Sequence, residues 1–171
     1  MSPADVSLRA WQSLTQEEQA QVLALKVDDQ QLEYAGTVER TIETCTSSHA
    51  TEVAGLAILL GETVVGFLVL RRGPKLPDWA PLGSVALAGM RIDRTHQGAS
   101  LGRRALIAVD AWLWTNWPEV ETLALSVDAE NLAGRAAYRN AGFSEFMEPR
   151  PGRIGTVHFL AKHLRSTSSA A

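Results

Sequence analysis

The sequence predicts an α/β fold built as one domain. Three observations predict it. Short β-rich apolar runs alternate with helical patterns in the order β-α-α-β-β-β-α-β-α-β-β. No internal repeat, linker or low-complexity stretch interrupts them. A chain of 171 residues with 46% apolar and 20% charged residues has enough material for one compact core. We therefore read residues 1–165 as one domain and 166–171, small and polar, as a flexible C-terminal tail.

Taken in order, Val6 to Trp11 is a short strand. Thr15 followed three residues on by Glu18 has the spacing of a capping box, opening a helix from Gln16 to Leu25. A second amphipathic helix is expected from Leu32 to Thr44, ending at a Ser47-Ser48-His49 loop. Val53 to Leu60 and Thr63 to Leu70 flank Gly61-Glu62 as a β-hairpin. Gly73 to Pro81 carries three prolines and Trp79, and reads as a loop. Ser84 to Ile92 is apolar enough for a central strand. The next helix runs from Leu101 to about Trp114, with Leu101, Ala105, Ala108 and Trp112 near one face and Pro118 beyond its end. Leu123 to Val127 is a strand, Asn131 to Asn140 a helix with Gly142 just past its end, and Phe143 to Met147 and Ile154 to Ala161 are the last strands. Trp112, Trp114 and Trp117 crowd one helix end, either as core or as the face of a homodimer.

Two constellations carry chemistry. In the first, the strand ending at Ile92 feeds a turn holding Gln97, Gly98 and Gly102, and a helix begins at once. The unpaired amides at such a helix start, with the positive end of its dipole, favour an anion. Glycine lets the backbone approach a phosphate closely. The same glycines could simply shape a strand-to-helix turn. The spacing is not Gly-x-Gly-x-x-Gly, and the motif follows a hairpin rather than opening a first βαβ unit, so a dinucleotide fold fits poorly. A Walker loop is excluded by the absence of Gly-Lys-Ser/Thr.

The second constellation is Asn131, Tyr138 and Gly142-Phe143. Asn131 follows a strand, where its amide can cap the next helix or hold a ligand amide. Tyr138 lies two helical turns on, so both side chains can face one groove. A phenol with pKa ~10 can donate a proton to a thiolate leaving group.

With both motifs in this order, the chain resembles the GNAT superfamily of acetyl-CoA-dependent N-acetyltransferases. That family's pyrophosphate loop, Arg/Gln-x-x-Gly-x-Gly/Ala, is matched by Gln97, Ser100 and Gly102, with Gly98 supplying the extra glycine of the fuller form and Ser100 replacing the central one. The downstream Asn, small-residue helix, Tyr and Gly-Phe are matched by Asn131, Gly134, Tyr138, Gly142 and Phe143, and Val64-Val65-Gly66-Phe67 is similar to the family's third strand. The resemblance covers residues Val53 to Leu164. It implies a mixed, mostly antiparallel central sheet of about seven strands flanked by helices and splayed between strands four and five. It also implies acetyl-CoA as co-substrate. Backbone groups of Met90, Arg91 and Ile92 would pair with the pantetheine arm. Gln97, Gly98, Ala99, Ser100, Leu101, Gly102 and Arg103 would hold the pyrophosphate, with Arg103 or Arg104 adding charge. Asn131 would contact the coenzyme arm, and Tyr138 would protonate the departing thiolate after direct attack by an amine through a tetrahedral intermediate.

Sixteen basic and nineteen acidic residues give a net charge of −3, which argues against a nucleic-acid partner. Cys45 is the only cysteine, so no intrachain disulfide or Cys-rich metal site is expected, and no metal is invoked. The absence of a signal-peptide pattern and of an apolar run of ~20 residues leads us to expect a cytoplasmic protein that does not engage a membrane. No carboxylate stands on the fourth strand, where many family members place a general base. Asp93, Glu33, Glu39, Glu43 and His158 remain candidates beside a water-relayed path. The segment around Val27 and Gln30, followed by Tyr34 and an acidic helix, is similar to the N-terminal region of bacterial spermidine/diamine acetyltransferases. Trp79 either lines the acceptor entrance or packs beneath its loop. A small-molecule amine acceptor is thus expected. The alternatives are a protein N-terminal or lysine acetyltransferase and a non-catalytic acyl-CoA sensor.

Overall fold

The computed structural model describes residues 5–27, 37–98 and 100–164. The expected start of the second helix at Leu32, the residues Gln30, Glu33 and Tyr34, the loop residue Ala99 and the expected C-terminal tail lie outside the described residues. Seven strands form one sheet: β1 (Val6–Ala10), β2 (Val53–Leu60), β3 (Thr63–Arg71), β4 (Val85–Ile92), β5 (Thr122–Asp128), β6 (Ser144–Gly152) and β7 (Gly155–His163), in the spatial order β1-β2-β3-β4-β5-β7-β6. Every neighbouring pair is antiparallel except β4–β5, which is parallel. Among the described residues the α-helices are α1 (Gln16–Leu23), α2 (Val38–Thr46), α3 (Leu101–Asn116) and α4 (Leu132–Asn140).

Alternating side chains give the sheet two apolar faces. On one, Leu56, Ile58, Leu68, Leu70, Val85 and Leu87 pack with Leu101, Ala105, Leu106, Val109 and Leu113 of α3, and the cluster continues through Leu123, Leu125 and Val127 to Phe143 and Leu160. On the other, Val22 of α1 and Val38 and Cys45 of α2 cover Val53, Ala57, Leu59, Phe67 and Val69. The capping box is present: the Thr15 hydroxyl accepts from the Glu18 amide, and the Glu18 carboxylate accepts from the Thr15 amide.

Several boundaries differ from the sequence reading, each for a local reason. β1 stops at Ala10, because Trp11 opens a 3-10 turn whose carbonyl accepts from the Leu14 amide. α1 ends at Leu23, short of Leu25. Thr37 caps α2 with extended backbone, its hydroxyl accepting from the Arg40 amide, so that helix begins at Val38; it runs two residues past Thr44. α3 continues to Asn116 and stops because Trp117 precedes Pro118, and a residue before proline avoids helical backbone. Trp117 is buried, stacks edge-on against Trp112 and lies 4.0 Å beneath the Arg72 guanidinium, so among these three tryptophans only Trp114 is exposed. Of the two readings of this helix end, core holds for Trp117, while Trp114 stays at the surface. β6 runs on to Gly152 through Pro149 and Pro151, well past Met147. It is an edge strand, where proline's missing donor costs no ladder bond. No helix among the described residues is long and apolar enough to cross a membrane.

Candidate active site at the splay of the sheet

The β4–β5 pair holds register only at Val85↔Leu123 and Ala86↔Ala124. Past Ala86 the strands part, and the cause lies in β4. Phe67 of β3 pairs with Arg91 but Val69 pairs with Ala88, so β4 carries one residue too many across from Leu68. Gly89 absorbs it in left-handed backbone at φ +59°. A bulge of this kind bends its strand, while β5 continues straight along β7. The resulting groove is lined by Leu87, Ala88, Gly89 and Met90 on one side and Ser126, Val127 and Asp128 on the other, with Asn131 and Tyr138 beneath.

Arg91 fixes this bulge from the α2 side. Only 2% exposed, it donates from Nε to the Gly89 carbonyl (3.0 Å) and from Nη2 to the Thr41 hydroxyl of α2 (2.8 Å). Burial lowers its pKa to about 10 and the Glu39 carboxylate opposes that fall, so it stays charged at neutral pH. Sequence reading assigned Arg91 only main-chain contacts. The signal for its side chain was a lone arginine inside an apolar run.

Asn131 and Tyr138 reach the groove from α4. The Asn131 carboxamide caps the helix, accepting from the Gly134 amide at 3.0 Å. A Cβ on Gly134 would fall 2.5 Å from that carboxamide, which accounts for the glycine at this position. The Tyr138 ring packs edge-on against Phe143 at 5.8 Å, and the Phe143 amide donates to the Tyr138 carbonyl. Burial pushes the phenol pKa up to about 12.

The turn after β4 leads from the groove to α3. The Asp93 carboxylate accepts from the Lys26 amide (2.9 Å), the Thr95 amide (3.0 Å) and the Thr95 hydroxyl (2.7 Å). Burial raises its pKa, but these donors outweigh it and the net shift is downward. Asp93 therefore shapes the turn. Gln97 donates from Nε2 to the Ile92 carbonyl at 3.0 Å, so its side chain closes the loop upon the strand end. Gly98 (φ +85°) and Ser100 (φ +60°) both have left-handed backbone. For serine that conformation costs about 1–2 kcal/mol, and it explains why glycine is the usual residue where Ser100 stands. The Ser100 hydroxyl makes no cap hydrogen bond. The first intrahelical bond runs from the Arg104 amide to the Ser100 carbonyl, which leaves the amides of Leu101, Gly102 and Arg103 without helical acceptors. The Leu101 side chain is buried in the core, Arg103 is exposed, and a Cβ on Gly102 would meet nothing within 4 Å. The first turn of α3 thus presents amides on an open face.

Other candidates lie elsewhere. His158 pairs with Glu145 of β6 and does not line the groove. Glu43 is exposed on α2, and Glu39 acts on Arg91. Cys45 is buried beneath α2, where burial raises its thiol pKa. Trp79 packs upon Phe159 of β7 with ring centroids 5.2 Å apart, beside Ser126 of the groove wall. Asp128, which the sequence reading passed over, stands in the groove wall itself. No group of three or more His, Cys, Asp or Glu that could hold a metal ion occurs among the described residues.

A model described as the Acetyltransferase (GNAT) family matches residues 9–143. No curated protein matches the chain in sequence. Among solved structures, the fold is similar to that of AAC(6')-Ib in complex with paromomycin and acetyl-CoA, at TM-score 0.74 and 16% identity, covering 96% of both chains. A spermidine N-acetyltransferase from Vibrio cholerae, in complex with CoA and spermine, aligns at TM-score 0.72 and 16% identity over 95% of this chain and 97% of that one. The GNAT domain of S. lividans PAT aligns at TM-score 0.69 and 18% identity over 92% of this chain and 89% of that one. At these identities the likeness is one of fold.

Proposed function

Because the chain belongs to the GNAT acetyltransferase family, we propose that it moves an acetyl group from acetyl-CoA to a primary amine of a small molecule. The observation that carries this reading is the groove where β4 leaves β5, with the chain running on from that strand into a helix start whose first amides lack helical acceptors. The residues present fit the coenzyme. A diphosphate suits the start of α3 from Ser100 to Arg103, where backbone amides and the helix dipole favour negative charge and no Cβ blocks Gly102. An extended pantetheine arm suits the groove, because beyond Ala86 the main chain of β4 has lost its β5 partner. When bound, acetyl-CoA supplies an activated acetyl thioester and a thiolate leaving group.

The chain's own groups then have separate tasks. Main-chain amides at the Gly89–Met90 bulge are the donors for charge developing on the acetyl oxygen, held in place by Arg91 through the Gly89 carbonyl. The Asn131 carboxamide orients the arm. Tyr138 delivers a proton to sulfur. A phenol raised to about 12 stays protonated across the neutral range. The same desolvation also makes a thiolate more basic there, which offsets the weaker acidity of the raised phenol. The Asp128 carboxylate in the groove wall suits a cationic acceptor. Paromomycin and spermine, bound in two of the structural neighbours, are of that class.

The test is direct. Acetyl-CoA should raise the melting temperature and give heat on titration. Tyr138→Phe should lower kcat by about 10²-fold or more while leaving the acetyl-CoA Kd unchanged. Full turnover in that variant removes the phenol from the acid role, and no binding of acetyl-CoA by the unsubstituted protein defeats the whole reading.

A further inference from the structure

Acetyl transfer to an amine leaves the proton of the acceptor ammonium without a destination, and any group assigned to take it rests on that proposed reaction. An alkyl amine with pKa ~10 is about 99.9% protonated at neutral pH and has no lone pair to attack with. We propose that the Asp128 carboxylate is the general base, taking that proton from the side of the groove opposite Tyr138.

The placement follows from strand alternation. Leu123, Leu125 and Val127 of β5 point into the cluster beneath α3, and Tyr138 packs against that same cluster. Ala124, Ser126 and Asp128 therefore point to the other face, the face that α1 and α2 cover elsewhere in the sheet. Both Asp128 and Tyr138 line the one groove, together with the Gly89–Met90 bulge. The base and the acid thus meet the gap from opposite faces, and a reacting carbonyl carbon held between them would take nitrogen from one side and release sulfur toward the other. Among the described residues lining the groove, Asp128 is the only carboxylate.

The electrostatics agree with this geometry. Burial raises the Asp128 pKa; the Arg153 guanidinium in the β6–β7 turn lowers it and Glu130 in the loop before α4 raises it, with a net upward shift. The facing residues of β4, Leu87 to Met90, carry no titratable side chain, and Tyr138 is neutral in this range. A carboxylate of raised pKa is a stronger base than an ordinary aspartate.

The step balances. The Asp128 carboxylate accepts one ammonium proton, and the nitrogen lone pair forms the C–N bond as the carbonyl π pair moves onto oxygen. The pair returns, the C–S bond breaks with its electrons on sulfur, and the Tyr138 phenol gives sulfur its proton. The second nitrogen proton restores the phenol, and Asp128 releases its own to water. The sum is amide, thiol and one proton.

The experiment follows thiol release from acetyl-CoA with spermine, with kanamycin, and with no amine, where water stands in for the acceptor and supplies a rate whatever the natural substrate. Asp128→Asn should lower the fastest of these rates by about 100-fold or more at neutral pH. With an amine, the deficit should shrink as pH rises, because solvent then removes the proton unaided. The acetyl-CoA Kd and the melting temperature should stay near those of the unsubstituted protein, and Asp128→Glu should recover part of the rate and the acidic limb of the pH profile. A rate within about threefold of the original with an unaltered pH profile overturns the assignment, as does a loss that is uniform with pH or that tracks weakened acetyl-CoA binding. Failure of the unsubstituted protein to bind acetyl-CoA at all overturns the acetyltransferase reading first and this assignment with it.

Discussion

Replacing Gly89 by alanine tests whether the β4 bulge is a built feature of the site. Gly89 holds φ +59°, and a Cβ there would lie 3.3 Å from Thr41 Cγ2, 3.4 Å from Arg91 Nη2 and 3.5 Å from Thr41 Oγ1. These neighbours are side-chain ends that can yield by a few tenths of an ångström, so the steric part is small. The conformational part is about 1–2 kcal/mol for a left-handed alanine. For a domain of this size each kcal/mol moves Tm by about 2–4 °C, so Gly89→Ala should lower Tm by about 2–8 °C. Gly66→Ala provides the contrast. Its Cβ would sit 2.4 Å from the Arg91 carbonyl oxygen, which cannot retreat without parting β3 from β4, so its loss should exceed that of Gly89→Ala. Differential scanning calorimetry gives both values, and thiol release gives the kinetic counterpart. If the strain is relieved by flattening the bulge, the Gly89 carbonyl leaves Arg91 and the groove narrows, so kcat should fall more than stability accounts for. A Gly89→Ala protein with unchanged Tm and unchanged turnover would refute the argument.

Three further outcomes are expected from the geometry. Ser100→Gly should relieve left-handed strain of about 1–2 kcal/mol at an entropic cost of about 0.4–1 kcal/mol, a net gain of up to about 1.6 kcal/mol readable by urea titration, whereas Ser100→Ala should give none. Arg91→Met should leave the Gly89 carbonyl and Thr41 hydroxyl without their guanidinium donor and cost about 1–3 kcal/mol, with kcat for acetyl transfer falling more than acetyl-CoA affinity. The folded pKa of Asp93 lies below its ordinary 3.8, so its contribution is full above that value and is lost as pH falls through the folded pKa. Asp93→Ala should therefore differ from the unsubstituted protein in Tm at neutral pH and converge with it in strong acid.

The parts of the fold written in local pattern were legible. The β2–β3 hairpin follows from two apolar runs around Gly61-Glu62, and the capping box from Thr15 and Glu18. Ends were less legible where tertiary context decides them: β6 continues through two prolines only because it lies at the sheet edge, a position its own residues do not announce. In the site, Asn131 and Tyr138 were legible because one helix sets their spacing, and both line the groove. The Arg91 side chain was not, because its partner Thr41 lies fifty residues away on α2. Asp128 was not, because its place depends on where β4 leaves β5, which a single-residue bulge decides. The departure at Ser100 was visible as a missing glycine; its physical meaning, a strained backbone angle, became visible only in three dimensions.

Among the described residues, two rungs, at Val85 and Ala86, stitch β1–β4 to the β5-β7-β6 ribbon through the backbone. The remainder of that seam is closed by side chains of α3 and its neighbours. An amide-bearing chain laid along the open stretch would behave as a temporary eighth strand, completing ladders on both banks. Hydrogen exchange at the β4 amides beyond Ala86 should then be quick in the free protein and slow once a pantetheine is seated. The coenzyme would double as mortar for the scaffold that reads it.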